Sequence, residues 1–174
     1  MTGSAFADER PAWPAVSATG PWQVPGRGDP VDATPAVLVG LDGSLGGERA
    51  LEWALHEAVA LASPVRAVTA WAWDARLLTD VGSRPSQRAE QLRRQQEDQI
   101  ARVLGRTGPT PCRIETHVVE GDPASLLLTL SRAARLLVIG SHGEPGRPAV
   151  GSVARACLRF AVCPVVVVPV DPPA

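Results

Sequence analysis

The residues best suited to chemistry lie between Leu136 and Ser152, which read Leu-Leu-Val-Ile-Gly-Ser-His-Gly-Glu-Pro-Gly-Arg-Pro-Ala-Val-Gly-Ser. The stretch opens as a short apolar run, Leu136 to Ile139, the pattern of a strand buried on both faces of a parallel sheet. It passes through a loop carrying Gly140, Gly143, Gly146 and Gly151 and ends on Ser152, which reads as the N-cap of a helix running to about Ala161. Strand, glycine loop and helix N-terminus together suit an anionic group. Glycines let backbone approach closely, free N–H groups point into the loop, and the helix dipole favours negative charge. The same spacing also fits a loop whose glycines only turn the chain. On local spacing the two readings stand level.

The remaining inventory narrows the chemistry. All 17 basic residues are arginine, and the chain has neither lysine nor tyrosine. That removes a P-loop lysine, a Schiff-base lysine and a kinase-type lysine. Cys112, Cys157 and Cys163 have no CxxC spacing and no zinc pattern, so they read as free thiols in a reducing cytoplasm. A net charge of −1 gives no push toward nucleic acid or an anionic membrane. No 18-residue apolar run predicts a transmembrane helix, and the N-terminus lacks a basic and an apolar region of the signal-peptide kind. Cytoplasmic location is the expectation.

These residues need a frame to position them. Residues 1–35, rich in proline and glycine, have no apolar period and read as a disordered tail in which Trp13 and Trp22 are isolated large side chains. The folded domain is expected over 36–170, with 171–174 as a short C-terminal tail. Its core of about 140 residues can bury roughly two-thirds of the unfolded surface without disulfide or metal.

Ala36 to Leu41 reads as a first buried strand, closed by the turn signal Asp42-Gly43-Ser44. A helix follows from about Gly47 to Ala62, with Leu51, Leu55, Ala58 and Ala62 as its stripe. Val65 to Trp73 reads as a strand with Trp71 and Trp73 on one side. Ser86 to Leu104 reads as a solvated helix with one narrow face of Ala89, Leu92, Gln96, Ile100 and Val103. Arg113 to Val119 alternates like an edge strand, and Asp122-Pro123 starts a helix running to about Ala134. Pro164 to Val168 is the last strand. Strands alternating with helices predict an α/β fold, a parallel sheet with helices on both faces. In such sheets ligands bind beyond the carboxyl ends of strands where the winding reverses, which would bring Asp42-Gly43-Ser44 to the glycine loop.

At these residues the chain resembles the universal stress proteins, from about Ala36 to Val170. The motifs are Val-Leu-Val-Gly-Leu-Asp-Gly-Ser at 37–44, Ala-Leu-Glu-Trp-Ala at 50–54 and Leu-Val-Ile-Gly-Ser-His-Gly at 137–143. Gly-Ser-Val-Ala at 151–154 and Cys-Pro-Val-Val-Val-Val-Pro at 163–169 complete them. The resemblance implies a doubly wound five-stranded parallel sheet of order 3-2-1-4-5 and a homodimer formed through the final strand. One branch of that family binds ATP through Gly, two residues, Gly, nine residues, Gly, then Ser or Thr. Gly140, Gly143, Gly151 and Ser152 match those positions, but only seven residues, Glu144 to Val150, separate Gly143 from Gly151.

The nucleotide site that the resemblance implies comprises Asp42, Gly43, Ser44, Ala70, Gly140, Ser141, His142, Gly143, Arg147, Gly151, Ser152 and Val153. In it Asp42 lies beside the ribose and base, the Ala70 backbone meets adenine, and ATP, with Mg2+, is the ligand. Arg147 is a candidate phosphate clamp, whereas His142 stands where the family often has arginine and reads as solvated. Pro145 and Pro148 remove two N–H donors from the loop, and Glu144 brings a negative charge toward the phosphates. Glu144 is the only nearby general-base candidate, so a binding module is expected rather than an enzyme, with weak ATP hydrolysis left open. Two readings follow: a dimeric ATP-binding regulator of the stress response, or a nucleotide-free scaffold of the same fold, which the short loop and Glu144 favour.

Overall fold

The short apolar runs become neighbouring strands because each is apolar on both sides and must be covered twice. In the computed structural model, which describes residues 35–71, 85–141 and 150–170, the chain forms β1 (Ala36–Gly40), α1 (Leu45–Ala60), β2 (Val65–Trp71), α2 (Pro85–Thr107) and β3 (Ile114–Glu120). There follow α3 (Pro123–Leu130), a 3-10 turn (Ser131–Ala133), β4 (Ala134–Gly140), α4 (Ser152–Phe160) and β5 (Val165–Val168). All four pairings are parallel and the order is β3-β2-β1-β4-β5, as expected. The winding reverses between β1 and β4. The expected tail over most of 1–35, Trp73 and the C-terminal 171–174 lie outside the described residues.

Alternation along β1 divides the core. Val37 and Val39 point into a layer with Leu51, Leu55, Ile100 and Val103 of α1 and α2. Leu38 joins Leu126, Leu127, Leu130 and Cys157 of α3 and α4 on the other face. Helices therefore cover both faces of the sheet, each supplying the apolar stripe that the strands require.

Several boundaries differ from the sequence reading. Helix α1 begins two residues early because Ser44 caps it, its hydroxyl accepting from Gly47 N at 3.1 Å. Ala62 falls beyond the helix with a φ of 47° and is exposed. Helix α3 ends at Leu130 rather than near Ala134. There the Ser131 hydroxyl donates to the Leu128 carbonyl at 2.7 Å and accepts from Val162 N at 3.4 Å, so the chain tightens into the 3-10 turn. Strand β3 is an edge, as its pattern implied, yet Glu115 and His117 on it are buried.

Glu115 is held by Arg66 of β2, whose Nε and Nη2 both lie 3.0 Å from Oε2, and by Arg113 at 3.1 Å from Oε1. A buried carboxylate persists only with such pairing. Burial pushes His117 down to about 4, the Arg66 charge adds to that and the Glu115 charge opposes it. The imidazole is therefore neutral at pH 7.

Candidate functional site

At the carboxyl ends of β1 and β4 the structure leaves a cavity of about 260 Å³. The β1–α1 turn supplies Asp42, Ser44 and Gly47, and β2 supplies Val68 and Ala70. From the far side come Gly140 and Ser141 at the end of β4 and Gly151 to Ala154 at the start of α4. Pro123 and Leu127 of α3 close one wall. The cavity lies at the reversal of winding, where open α/β sheets bind ligands.

The β1–α1 rim is held by its own hydrogen bonds. Ser44 N donates to Asp42 Oδ1 at 3.0 Å and the Ser44 hydroxyl donates to the same oxygen at 2.5 Å. A carboxylate taking the N–H two residues on is the mechanism by which aspartate makes turns. Between them Gly43 has a φ of 82°, a backbone that favours glycine, so Gly43 shapes the turn and does not line the cavity. The Ser44 carbonyl accepts from Glu48 N at 3.1 Å, the first bond of α1, and from Gln99 Nε2 of α2 at 3.0 Å.

The other rim is built differently. Helix α4 is capped by Gly151, one residue before the Ser152 that the sequence suggested, and Gly151 offers no side chain to its first turn. The first N–H groups of any helix have no intrahelical partner, and they carry the positive end of its dipole. Ser152 and Val153, in that first turn, face the cavity. By contrast α1 is capped by Ser44, while α3 has the Asp122 carboxylate on Ser125 N at 2.8 Å and a proline at its first position. Of the helices that start at this cavity, α4 is the one without a side-chain cap among the described residues. That leaves it the natural seat for an external anion.

Gly140 has a reason of its own. A Cβ there would lie 2.5 to 2.9 Å from the backbone of Gly46, so its missing side chain lets β4 pack directly on the first turn of α1. Gly140 thus lines the cavity and also admits a backbone contact within the protein that the sequence reading did not anticipate. Ser141 is tied to β5, its N–H donating to the Val168 carbonyl at 2.8 Å and its hydroxyl accepting from Val170 N at 3.3 Å.

Of the residues expected to form the site, Asp42, Ser44, Ala70, Gly140, Ser141, Gly151, Ser152 and Val153 line this one cavity. His142, Gly143 and Arg147 lie outside the described residues. The lining also takes in residues outside that expectation, among them Gly47, Val68, Pro123 and Leu127. Val68 had a signal, since it lies two residues before Ala70 and so shares its face of the strand. Pro123 and Leu127 come from a crossover helix whose position over the switch point no local pattern states. The arrangement presents an apolar floor (Val68, Ala70, Leu127, Ile139), an uncapped helix start and the Asp42 carboxylate, which among the described lining residues is the one ionisable side chain. Such a site can take a flat apolar group, an anion and a hydroxyl donor together.

Comparison with known proteins gives a consistent picture. Residues 35–169 match the model of the Universal stress protein family. A universal stress protein of Mycobacterium tuberculosis strain H37Rv is 37% identical over 138 residues, covering 79% of this chain and 49% of that protein. The chain thus spans about half the length of the curated relatives it matches. A universal stress protein solved in complex with cAMP is 27% identical with a TM-score of 0.54, covering 79% of this chain and 98% of that one. The universal stress protein UspA from Lactobacillus plantarum is 22% identical with a TM-score of 0.62, covering 79% and 99%.

Proposed function

The chain belongs to the universal stress protein family, and from that premise we propose that its cavity binds an adenine nucleotide, ATP with Mg2+, in a dimeric regulatory module of the stress response. The observation that carries this reading is the meeting, in one cavity at the switch point, of an uncapped helix start, a carboxylate and an apolar floor. In it the phosphates take the first-turn N–H groups of α4, Gly143 gives them room and Arg147 clamps them. Asp42 accepts from the ribose hydroxyls, and the adenine lies on Val68 and Leu127 with its edge toward the Ala70 backbone. Mg2+ accompanies the phosphates and offsets their charge. A 27% identical family member solved with cAMP supports an adenine nucleotide as the ligand class.

The dimer forms through β5. That strand is an edge whose four valines are half-buried, and Leu158, Phe160 and Val162 before it are exposed. A second copy would pair the open backbone and cover those side chains. No described helix is long and apolar enough to cross a membrane, and we place the protein in the cytoplasm. One observation favours a second reading, a nucleotide-free scaffold: the seven-residue spacing of Gly143 and Gly151, with Glu144 inside it, departs from the nine-residue ATP signature.

The test is the nucleotide content of the purified protein, released by denaturation and read by ion-exchange chromatography with mass detection. Near-stoichiometric ATP or AMP is the expected result. An empty protein that also gives no thermal shift with Mg-ATP overturns the nucleotide reading and leaves the scaffold.

A further inference from the structure

We infer that Gln99, which does not line the cavity, is the positioning residue that aims Asp42 at the ribose; the inference rests on the nucleotide reading of the site. Helix α2 is largely polar and solvated, with Arg88, Glu90, Arg93, Arg94, Glu97 and Asp98 exposed, yet Gln99 is 1% exposed. A buried amide persists only when it is hydrogen-bonded. Its Nε2 donates to the Ser44 carbonyl at 3.0 Å, across 55 positions of sequence. Ser44 in turn gives both its N–H and its hydroxyl to Asp42 Oδ1. Gln99 thus anchors the residue whose N–H and hydroxyl orient the carboxylate.

Gly47 makes the arrangement possible. A Cβ at that position would lie 3.0 Å from Asp42 Oδ1 and 3.1 Å from Gln99 Nε2, so the absent side chain is the space in which the two groups approach. One and two turns further along the same face of α2, Arg102 and Arg106 each reach Glu48 of α1 at 2.9 Å. Those arginines are half-exposed, but the Glu48 carboxylate they hold is buried. They dock α1 on α2 at the solvent edge, while the buried Gln99 bond fixes the turn. The phosphate rim at α4 packs instead on α3 and β5. Gln99 therefore serves hydroxyl recognition and leaves phosphate binding alone.

The experiment compares full-length wild type with Gln99→Met, which keeps the length and loses the donor. Calorimetry reads the dissociation constants of Mg-ATP and of Mg-2′,3′-dideoxy-ATP, which lacks the ribose hydroxyls. In Gln99→Met the ATP affinity falls about five- to tenfold, while the dideoxy affinity holds within about twofold. Adding Gln99→Met to Asp42→Ala then costs nothing further. Equal loss for both nucleotides, or an unchanged ratio, overturns the inference while leaving the nucleotide site standing. Wild type that binds neither nucleotide overturns both, and is told apart by that first titration. If Gln99→Met does not fold, Gln99→Asn, which withdraws the amide by one methylene, is judged by the same ratio.

Discussion

The two rims of the cavity are built on opposite plans. On the β1–α1 rim the N–H, hydroxyl and carbonyl of Ser44 are all engaged inside the protein, and α2 holds the turn from behind. On the β4–α4 rim a helix starts from a glycine with no side-chain cap. The first plan fixes a direction before any ligand arrives, so little ordering entropy is lost on binding. The second keeps partial positive charge available for a group the protein does not supply. On the proposed nucleotide reading, selectivity for hydroxyls would belong to the preset rim, and affinity for an anion to the open one.

The contrast breaks first at the place where the rims touch. Gly140 of β4 packs on the backbone of Gly46 in α1, and a Cβ would meet main-chain atoms that cannot swing away. Gly140→Ala is expected to destabilise the fold by about 3 kcal/mol or more, through overpacking against rigid backbone. Gly46→Ala is the matched control. Its Cβ would meet Val170 Cγ2 at 3.3 Å and the Ser141 carbonyl at 3.4 Å, contacts that a small shift accommodates. It should cost within about 1 kcal/mol, since alanine also favours the helix. Urea unfolding of the two variants checks the pair. Equal costs would mean that the rims are not locked through Gly140.

A change of pH separates the preset rim from the sheet beneath it. The buried His117 has a pKa of about 4 against an ordinary 6.5. Between these values the unfolded chain binds a proton that the folded one refuses, so stability is full above pH 6.5 and declines as pH falls toward 4. The loss is on the order of 3 kcal/mol and levels off below the folded value. Glu48 behaves otherwise. Burial would raise its carboxyl, but hydrogen bonds and charge from Arg102 and Arg106 outweigh that and hold it below the ordinary 4.5. Its tie to α2 thus persists through the window. Urea midpoints from pH 7 to 4 should fall in wild type, and His117→Leu should remove that slope.

The fold was legible because its signals are local. Ala36 to Leu41, Leu136 to Ile139 and Pro164 to Val168 are apolar without interruption, and turn or cap residues such as Asp42-Gly43-Ser44 and Asp122-Pro123 punctuate them. Alternation with helices then leaves few topologies. Asp42, Ser44, Gly151 and Ser152 were legible as a site only through the switch-point rule and the family pattern. What escaped was long-range. Gln99 lies at i+3 from Gln96 and i−4 from Val103, on the narrow buried face, but that spacing says nothing of the Ser44 carbonyl it meets. The packing of Gly140 on Gly46 escaped as well, because the two are distant in sequence. The cap of α4 was misplaced by one residue because glycine and serine both tolerate that position.

That one-residue shift supplies the finest test of the contrast. Gly151 has φ −59° and ψ 164°, an extended backbone that any residue adopts, so a side chain there brings no strain of its own. Gly151→Asp would place a carboxylate on the first-turn N–H groups of α4 and make this rim resemble the start of α3, where Asp122 already does so. The fold should gain about 0.5–1 kcal/mol, from the cap and from negative charge at the helix start. Nucleotide affinity should fall about tenfold or more, because the carboxylate occupies the place of the phosphate and repels it. Gly151→Asn divides the two causes: it caps without charge, so it should keep part of the added stability and lose less affinity. Thermal unfolding and calorimetric titration of the three proteins read both quantities. A stabilised Gly151→Asp protein that binds nucleotide as tightly as wild type would place the anion elsewhere, and the open rim would then be an ordinary uncapped helix.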